Sequence, residues 1–320
     1  MRREGSAFQG VGTVFIKELS DNISSVRMLV LELLIVLTAL AALYGAIDSL
    51  RQTTAEDPFL LLRLFTLSKS PLPSFVAILG FLIPLMAIGL GFDAVNGEFN
   101  RRTLSRILAQ PIYRDALLMG KFLAGLATLA VNLAALWLLV IGLGLLFLGV
   151  PPGGEEIARS LAFLVIAIFY AGVWLALAML LSIVFRSPAT AALVALGIWL
   201  FLTVLWPMLA PAIAQVIAPP DPRYAALGLV TPSTGLWAQF LSRISPNDLF
   251  AEAMVAVLSP TTRTLGAVFL DQLRGAVMGA PLPLSESLMI AWPQTVGLIA
   301  GTIVLFVAGY ILFQRQEVRA

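Results

Sequence analysis

Cysteine and histidine are both absent from the 320 residues, and charged side chains make up only 12% of them. Without those two residue types there is no thiol nucleophile, no disulfide, no Cys/His zinc or haem ligation and no imidazole general base. The shortage of charge, beside a hydrophobic content of 59%, departs from the roughly 25% charged and 45–50% apolar composition of soluble domains. An ordinary soluble enzyme is excluded. The formal charge of +2 gives no reason to expect a nucleic-acid partner. A phosphate-cradling loop is missing as well: Gly120-Lys121 is followed by Phe122 and lacks the upstream glycine. Any ATP hydrolysis that serves this chain therefore occurs on another polypeptide. No repeat with a solenoid period is visible.

What the chain does have is long apolar runs. Six match the roughly 20 residues that cross a hydrocarbon core: Met28–Ile47, Phe75–Phe92, Ala116–Val150, Ile157–Phe185, Ala189–Met208 and Leu288–Phe313. The expected fold is all-α and polytopic, with segments 1–27 before the spans, 28–313 containing them and 314–320 as a tail. The third run is longer than a ~30 Å core needs at ~1.5 Å per residue, so its first turns, with Lys121, are expected to project into water. Ahead of the first span, Phe8, Val11, Phe15, Leu19, Ile23 and Val26 recur at three- and four-residue spacing, with Lys17, Glu18 and Asp21 off the stripe. This reads as an amphipathic surface helix. With both termini cytoplasmic, twelve basic residues fall inside and eight outside, four of those eight in one long segment. That asymmetry sets the expected orientation in the cell membrane.

The long outer segment, 209–287, contains a helix-start pattern at Ser245-Pro246-Asn247-Asp248 and helically spaced apolar residues from Leu249 to Leu258, stopped by Ser259-Pro260. Two readings stand: helices on the outer membrane face or over a cavity, or a linker returning the chain to span six. An extracytoplasmic partner for this segment is a further expectation. Glu32, four residues into the first run, reaches the interface by length, and with Asn132 it is a candidate for the substrate path. Asn132, Thr128 and Ser182 are expected to hydrogen-bond between helices. Of the aromatic residues, Tyr44, Trp206 and Trp292 fit interface anchors, and the others fit helix packing.

The loop at 93–115 concentrates four arginines among sparse charges. Leu104, Ile107 and Leu108 form a one-sided apolar stripe, with Arg101, Arg102 and Arg106 elsewhere on the wheel, until Pro111 ends it. Such a helix rests on anionic lipid or inserts into a partner's groove. The ordered pattern Gly97-Glu98, Arg102-Thr103-Leu104, Ile107-Leu108, Gln110-Pro111-Ile112, Arg114 and Gly120-Lys121-Phe122 resembles the cytoplasmic loop of ABC-2 type permeases, the membrane subunits of ATP-binding-cassette exporters, in particular the NosY-like and gliding-motility group. The layout of surface helix, six spans and long outer segment resembles that group too, although this outer segment is longer than in many.

The resemblance implies a coupling helix at about Glu98–Leu108 docking on a separate ATPase. Glu98 would be the acidic contact or helix-start carboxylate. Arg101, Arg102 and Arg106 would face the ATPase or lipid, with Thr103, Leu104, Ile107 and Leu108 in the helix body. The N-terminal helix would be the elbow. It further implies two ATPase subunits carrying ATP and Mg, a second permease copy or a related one, and export as the direction. On this reading the chain itself is not an enzyme and holds no cofactor or metal. Against it stand an ATP-independent channel or secondary carrier, which needs polar groups at mid-depth, and an intramembrane enzyme, for which no Ser/Lys pair is evident at that depth.

Overall fold

The computed structural model describes residues 10–51, 59–70, 72–101, 114–149, 151–225, 230–263, 265 and 281–315. Among them α1 (Val11–Ile23) precedes α2 (Val26–Arg51), the first span. A short α3 (Leu60–Thr66) leads to α4 (Phe75–Gly91), the second span, and α5 (Asn96–Asn100) follows it. Spans three and four are α6 (Arg114–Leu148) and α7 (Gly154–Val184). Span five comprises α8 (Pro188–Leu200), a π-helical turn at Phe201–Leu205, and α9 (Trp206–Ile217). After α10 (Pro222–Ala225), α11 (Pro232–Ser242) and α12 (Pro246–Leu258), span six is α13 (Leu284–Arg315). Six helices are long and apolar enough to cross a membrane, and the protein is an all-α polytopic membrane protein.

All six expected spans are present, and the fifth differs most, running to Ile217 rather than stopping near Met208. The cause is local. Pro207 offers no N–H to the Thr203 carbonyl, and one widened turn at Phe201–Leu205 absorbs the loss, so the helix continues past Pro207 and Pro211. The N-terminal helix is also present, as Val11–Ile23.

Span four is the hub. Of its most apolar window 67% is buried, against 11% for span five, and α4, α6, α12 and α13 all pack on it. Between helices in lipid, apolar contact alone gains little, so close approach and interhelical hydrogen bonds must hold the bundle. Both occur on α7. A Cβ at Gly91 of α4 would lie 2.7 Å from Ala178 Cβ, so only glycine lets these two helices come so close. Ser182 Oγ accepts from the backbone N–H groups of Val95 and Asn96 at 3.0 and 3.2 Å, which bears out its expected interhelical role. Thr128 instead donates to Ala124 O of its own helix at 2.8 Å.

The end of the bundle that carries α1, α5 and the C-terminal turns of α13 is here the near end; the other, with α3 and the start of α7, is the far end. Between spans five and six the chain does not stay at the far surface. Thr234 Oγ1 at the start of α11 donates to Ala218 O, just past the far end of span five, at 2.7 Å. Seven residues further along, Leu241 O accepts from Trp206 Nε1 at 2.9 Å, and just past the helix Ser245 Oγ donates to Leu202 O at 3.2 Å. Leu202 is the midpoint of span five. From that turn α12 climbs back until Val257 O accepts from Arg159, near the far end of α7. Helices α11 and α12 therefore form a hairpin inserted halfway into the bundle.

The outer segment was expected as helices on the outer membrane face or over a cavity, or as a linker; its helices enter the bundle and α12 lines a cavity there, with the helix start at Pro246 and stop after Leu258 as expected. Phe250, Ala253, Met254, Ala256, Val257 and Leu258 are all buried, against α7, α13 and α4. The polar turn can sit at mid-level because its groups find partners inside: Arg243 Nε with Glu252 at 2.9 Å, Gln294 Nε2 with the same carboxylate at 2.8 Å, and Asn247 with Thr203 and Tyr170.

Candidate functional site

At the near end three elements distant in sequence meet on one cation. Lys121, in the second turn of α6, is only 7% exposed. Its Nζ lies 3.0 Å from Glu18 Oε2 of α1 and 2.8 Å from Glu98 Oε1 of α5. Lys121 was expected to project into water, and this is corrected: the two carboxylates supply the charge balance that lets the ammonium be buried. Glu18, expected on the polar face of the surface helix, also turns inward. Burial by itself would raise its carboxyl, but Lys121 and then Lys17 outweigh that and hold it below the usual carboxylate range.

Packing makes the triad possible. α1 lies across α6 at Gly120, where a Cβ would meet Val14 Cγ1 at 2.7 Å and Val11 O at 3.2 Å, and Val14 is buried by that contact. Beside it, Arg27 Nη1 binds Asp93 Oδ2 at 3.0 Å and its guanidinium stands 5.2 Å from the Phe92 ring. Asp93 and Lys121, at the two ends of the loop, thus have different partners. A cavity of about 120 Å³ lies between these pairs, lined by Glu18, Asp21, Ser25, Arg27, Asp93 and Lys121.

Of the loop residues singled out in the sequence, Glu98 stands in the first turn of α5, where a carboxylate suits the helix start, and Arg101 is exposed just after it. Arg102, Thr103, Leu104, Arg106, Ile107 and Leu108 lie outside the described residues. Glu32 is half-exposed on α2, with no ion-pair partner among the described residues. Asn132 is buried within α6, its Nδ2 without a partner among them. Tyr44 and Trp292, 73% and 65% exposed, stand free of the bundle as interface anchors would, whereas Trp206 is tied to α11.

The far end holds residues that sequence reading passed over. Arg159, counted only as an outside charge, is fully buried. It binds Glu155 Oε1 through Nε and Nη2 at 3.0 and 2.8 Å, Val257 O at 2.8 Å, Ser287 Oγ at 3.1 Å and Leu282 O. One guanidinium thus fastens the start of span four to the end of the hairpin and the start of span six. Neighbouring Glu156 accepts from Leu61 N of α3 and from Gly153 N, each at 2.8 Å. The visible signal was Glu155 and Arg159 at i, i+4 inside an apolar run.

Deeper, Tyr170 OH donates to Gly80 O at 2.8 Å and also engages Asn247, whose amide reaches Thr203. The hydroxyl therefore joins spans four and two to the hairpin. No group of His, Cys, Asp and Glu among the described residues is placed to hold a metal.

Comparison with known proteins agrees with this organisation. The family described as "ABC-2 family transporter protein" matches residues 13–318. The chain is 28% identical over 246 residues to a probable ABC transporter permease protein NosY of Pseudomonas aeruginosa, covering 75% of this chain and 79% of that one. It is 25% identical over 277 residues to the NosY permease of Stutzerimonas stutzeri, covering 86% and 91%. With a family match across nearly its whole length and six helices long and apolar enough to cross a membrane, the chain belongs to the ABC-2 transporter family and is a membrane subunit of an ABC transporter.

Proposed function

We propose that this chain is the translocation half of an exporter in the cell membrane, with its near end cytoplasmic and ATP, with Mg, hydrolysed on two separate ATPase subunits. A second copy, or a related permease, completes the pathway. The observation that carries the reading is the Lys121 triad: the loop entering at Glu98, the elbow helix and span three share one buried cation. A push on the segment after Glu98 is therefore delivered to α1 and α6 together. ATP binding drives such a movement only by favouring one conformation of the permease over the other. The basic, amphipathic stretch from Arg101 to Leu108 supplies the docking surface, with Leu104, Ile107 and Leu108 as apolar anchors.

The test is isolation of the protein from its native membranes in mild detergent. A chain with a phosphate-binding loop is expected to accompany it stoichiometrically and to hydrolyse ATP. Replacing Leu104 and Ile107 together by aspartate is expected to abolish that association while the protein still inserts. Recovery of the wild type alone, or an ATPase that stays with the double variant, would overturn the reading.

A further inference from the structure

Two open clefts adjoin in the far half of the bundle, and they differ in chemistry. One, about 540 Å³, lies between span two, the π turn of span five and α12, and is lined by Ser74, Phe81, Thr203, Asn247, Asp248 and Phe250 among others. The other, about 530 Å³, lies between spans one and two and is almost wholly apolar, with Leu72, Ile78, Phe81 and Leu82 in its walls. Ala77 and Phe81 line both, so the clefts meet along one face of α4. Among the described residues neither is lined by a lysine or arginine, and Asp248 is the one charged residue in either lining. One oxygen of that carboxyl is shielded from solvent and has no hydrogen-bond partner among the described residues.

From this pairing we propose that the two clefts are one binding site for an amphiphile with a cationic head and a single apolar tail. The head stands at Asp248, with Asn247, Thr203 and Ser74 as further polar contacts, and the tail crosses Phe81 into the apolar cleft. An acidic group without a basic neighbour in the lining selects against anionic heads, and the apolar cleft selects for an alkyl chain. The widened turn at Phe201–Leu205 brings Thr203 to the head cleft, the kind of position where such turns recur. The inference goes beyond the ATP-driven reading and does not depend on it, because binding is measured with no ATPase present.

Burial, and after it the nearby Glu252 carboxylate, raises the Asp248 carboxyl to about 6. The titratable groups around it are Tyr170 of α7, Glu252 one turn further along α12, and Arg243, which is held on Glu252. A cation needs the ionised carboxylate, so its binding should be full well above pH 6 and fade as pH falls through that value.

Trp199 makes the site observable: it is 6% exposed and its ring stands edge-on to Phe81 at 4.7 Å. In lipid nanodiscs, a brominated dodecyltrimethylammonium is expected to quench Trp199 emission saturably, with Trp199→Phe as the baseline. Asp248→Asn should weaken its apparent Kd at least tenfold and abolish the pH dependence, while brominated dodecanol binds both proteins alike. Equal Kd values in wild type and Asp248→Asn, a preference for the neutral alcohol, or quenching indifferent to Trp199 would each overturn the proposal. Should the variant fail to fold, head charge decides on the wild type alone: equal affinity for brominated dodecyltrimethylammonium and brominated dodecyl sulfate overturns it. Failure here leaves ATPase association untouched, so the two readings fall separately.

Discussion

Replacing Lys121 by methionine is expected to release the elbow helix from the bundle. The substitution keeps the length of the side chain but removes the one cation shared by Glu18 and Glu98, whose side chains are only 16% and 8% exposed. Breaking a buried pair by deleting one partner costs about 3–5 kcal/mol, because the remaining charge is stranded. Here two carboxylates lose the cation they share, although Glu18 keeps Lys17 at 3.0 Å, and repulsion between them adds to the loss.

The chain contains no cysteine, so a single cysteine at the buried Val14 reports docking by its rate of maleimide labelling. Labelling should be slow in the Lys121 background and at least tenfold faster in Lys121→Met. Restoring neutrality with Glu18→Gln and Glu98→Gln should recover part of the protection. Unchanged labelling would show that the triad does not hold the elbow. The sign of the pH effect follows from Glu18: its lowered carboxyl stabilises docking fully above its ordinary value of 4.5, and that contribution is lost as pH falls through the lower folded value. Docking is thus insensitive to pH in the neutral range.

The spans were legible because a run of about 20 apolar residues has almost no other use. The start and stop of α12 were legible for a similarly local reason: a Ser-Pro pair with Asp248 following sets the start, and Ser259-Pro260 sets the stop. Its depth was not. Ala253, Val257 and their neighbours give the same spacing whether a helix lies on lipid or inside a bundle, and only the partners of Arg243, Asn247 and Glu252 decide between the two. Each of those residues looks, on its own, like a solvated loop charge or amide. The triad was hidden in the same way. Glu18, Glu98 and Lys121 are each ordinary surface residues in a helical pattern, and their meeting depends on α1 lying across α6 at Gly120, a tertiary fact. Even Ser245, correctly placed at the head of α12, gives its hydroxyl to Leu202 O of span five rather than to its own helix.

Replacing Arg159 by methionine is expected to unfasten the inserted hairpin at its far end. Loss of the ion pair with Glu155 is not the reason, since Glu155 is 43% exposed and water can take over its solvation once the arginine is gone. The cost lies in Val257 O, Leu282 O and Ser287 Oγ, which the guanidinium serves inside the protein. A buried acceptor left without its donor costs about 1–3 kcal/mol, so losing these three together removes several kcal/mol from the junction. Two controls separate the contributions. Glu155→Gln leaves the fully buried guanidinium without that carboxylate but keeps its contacts to Val257 O, Leu282 O and Ser287 Oγ, so it should cost less than Arg159→Met, and Arg159→Lys should recover only part, because one ammonium cannot reach α12 and α13 as the forked group does. Hydrogen exchange in α12 reads the result: amides near Val257 should lose more protection in Arg159→Met than in Glu155→Gln. If both variants exchanged alike, the salt bridge and not the carbonyl contacts would be what holds the hairpin to spans four and six.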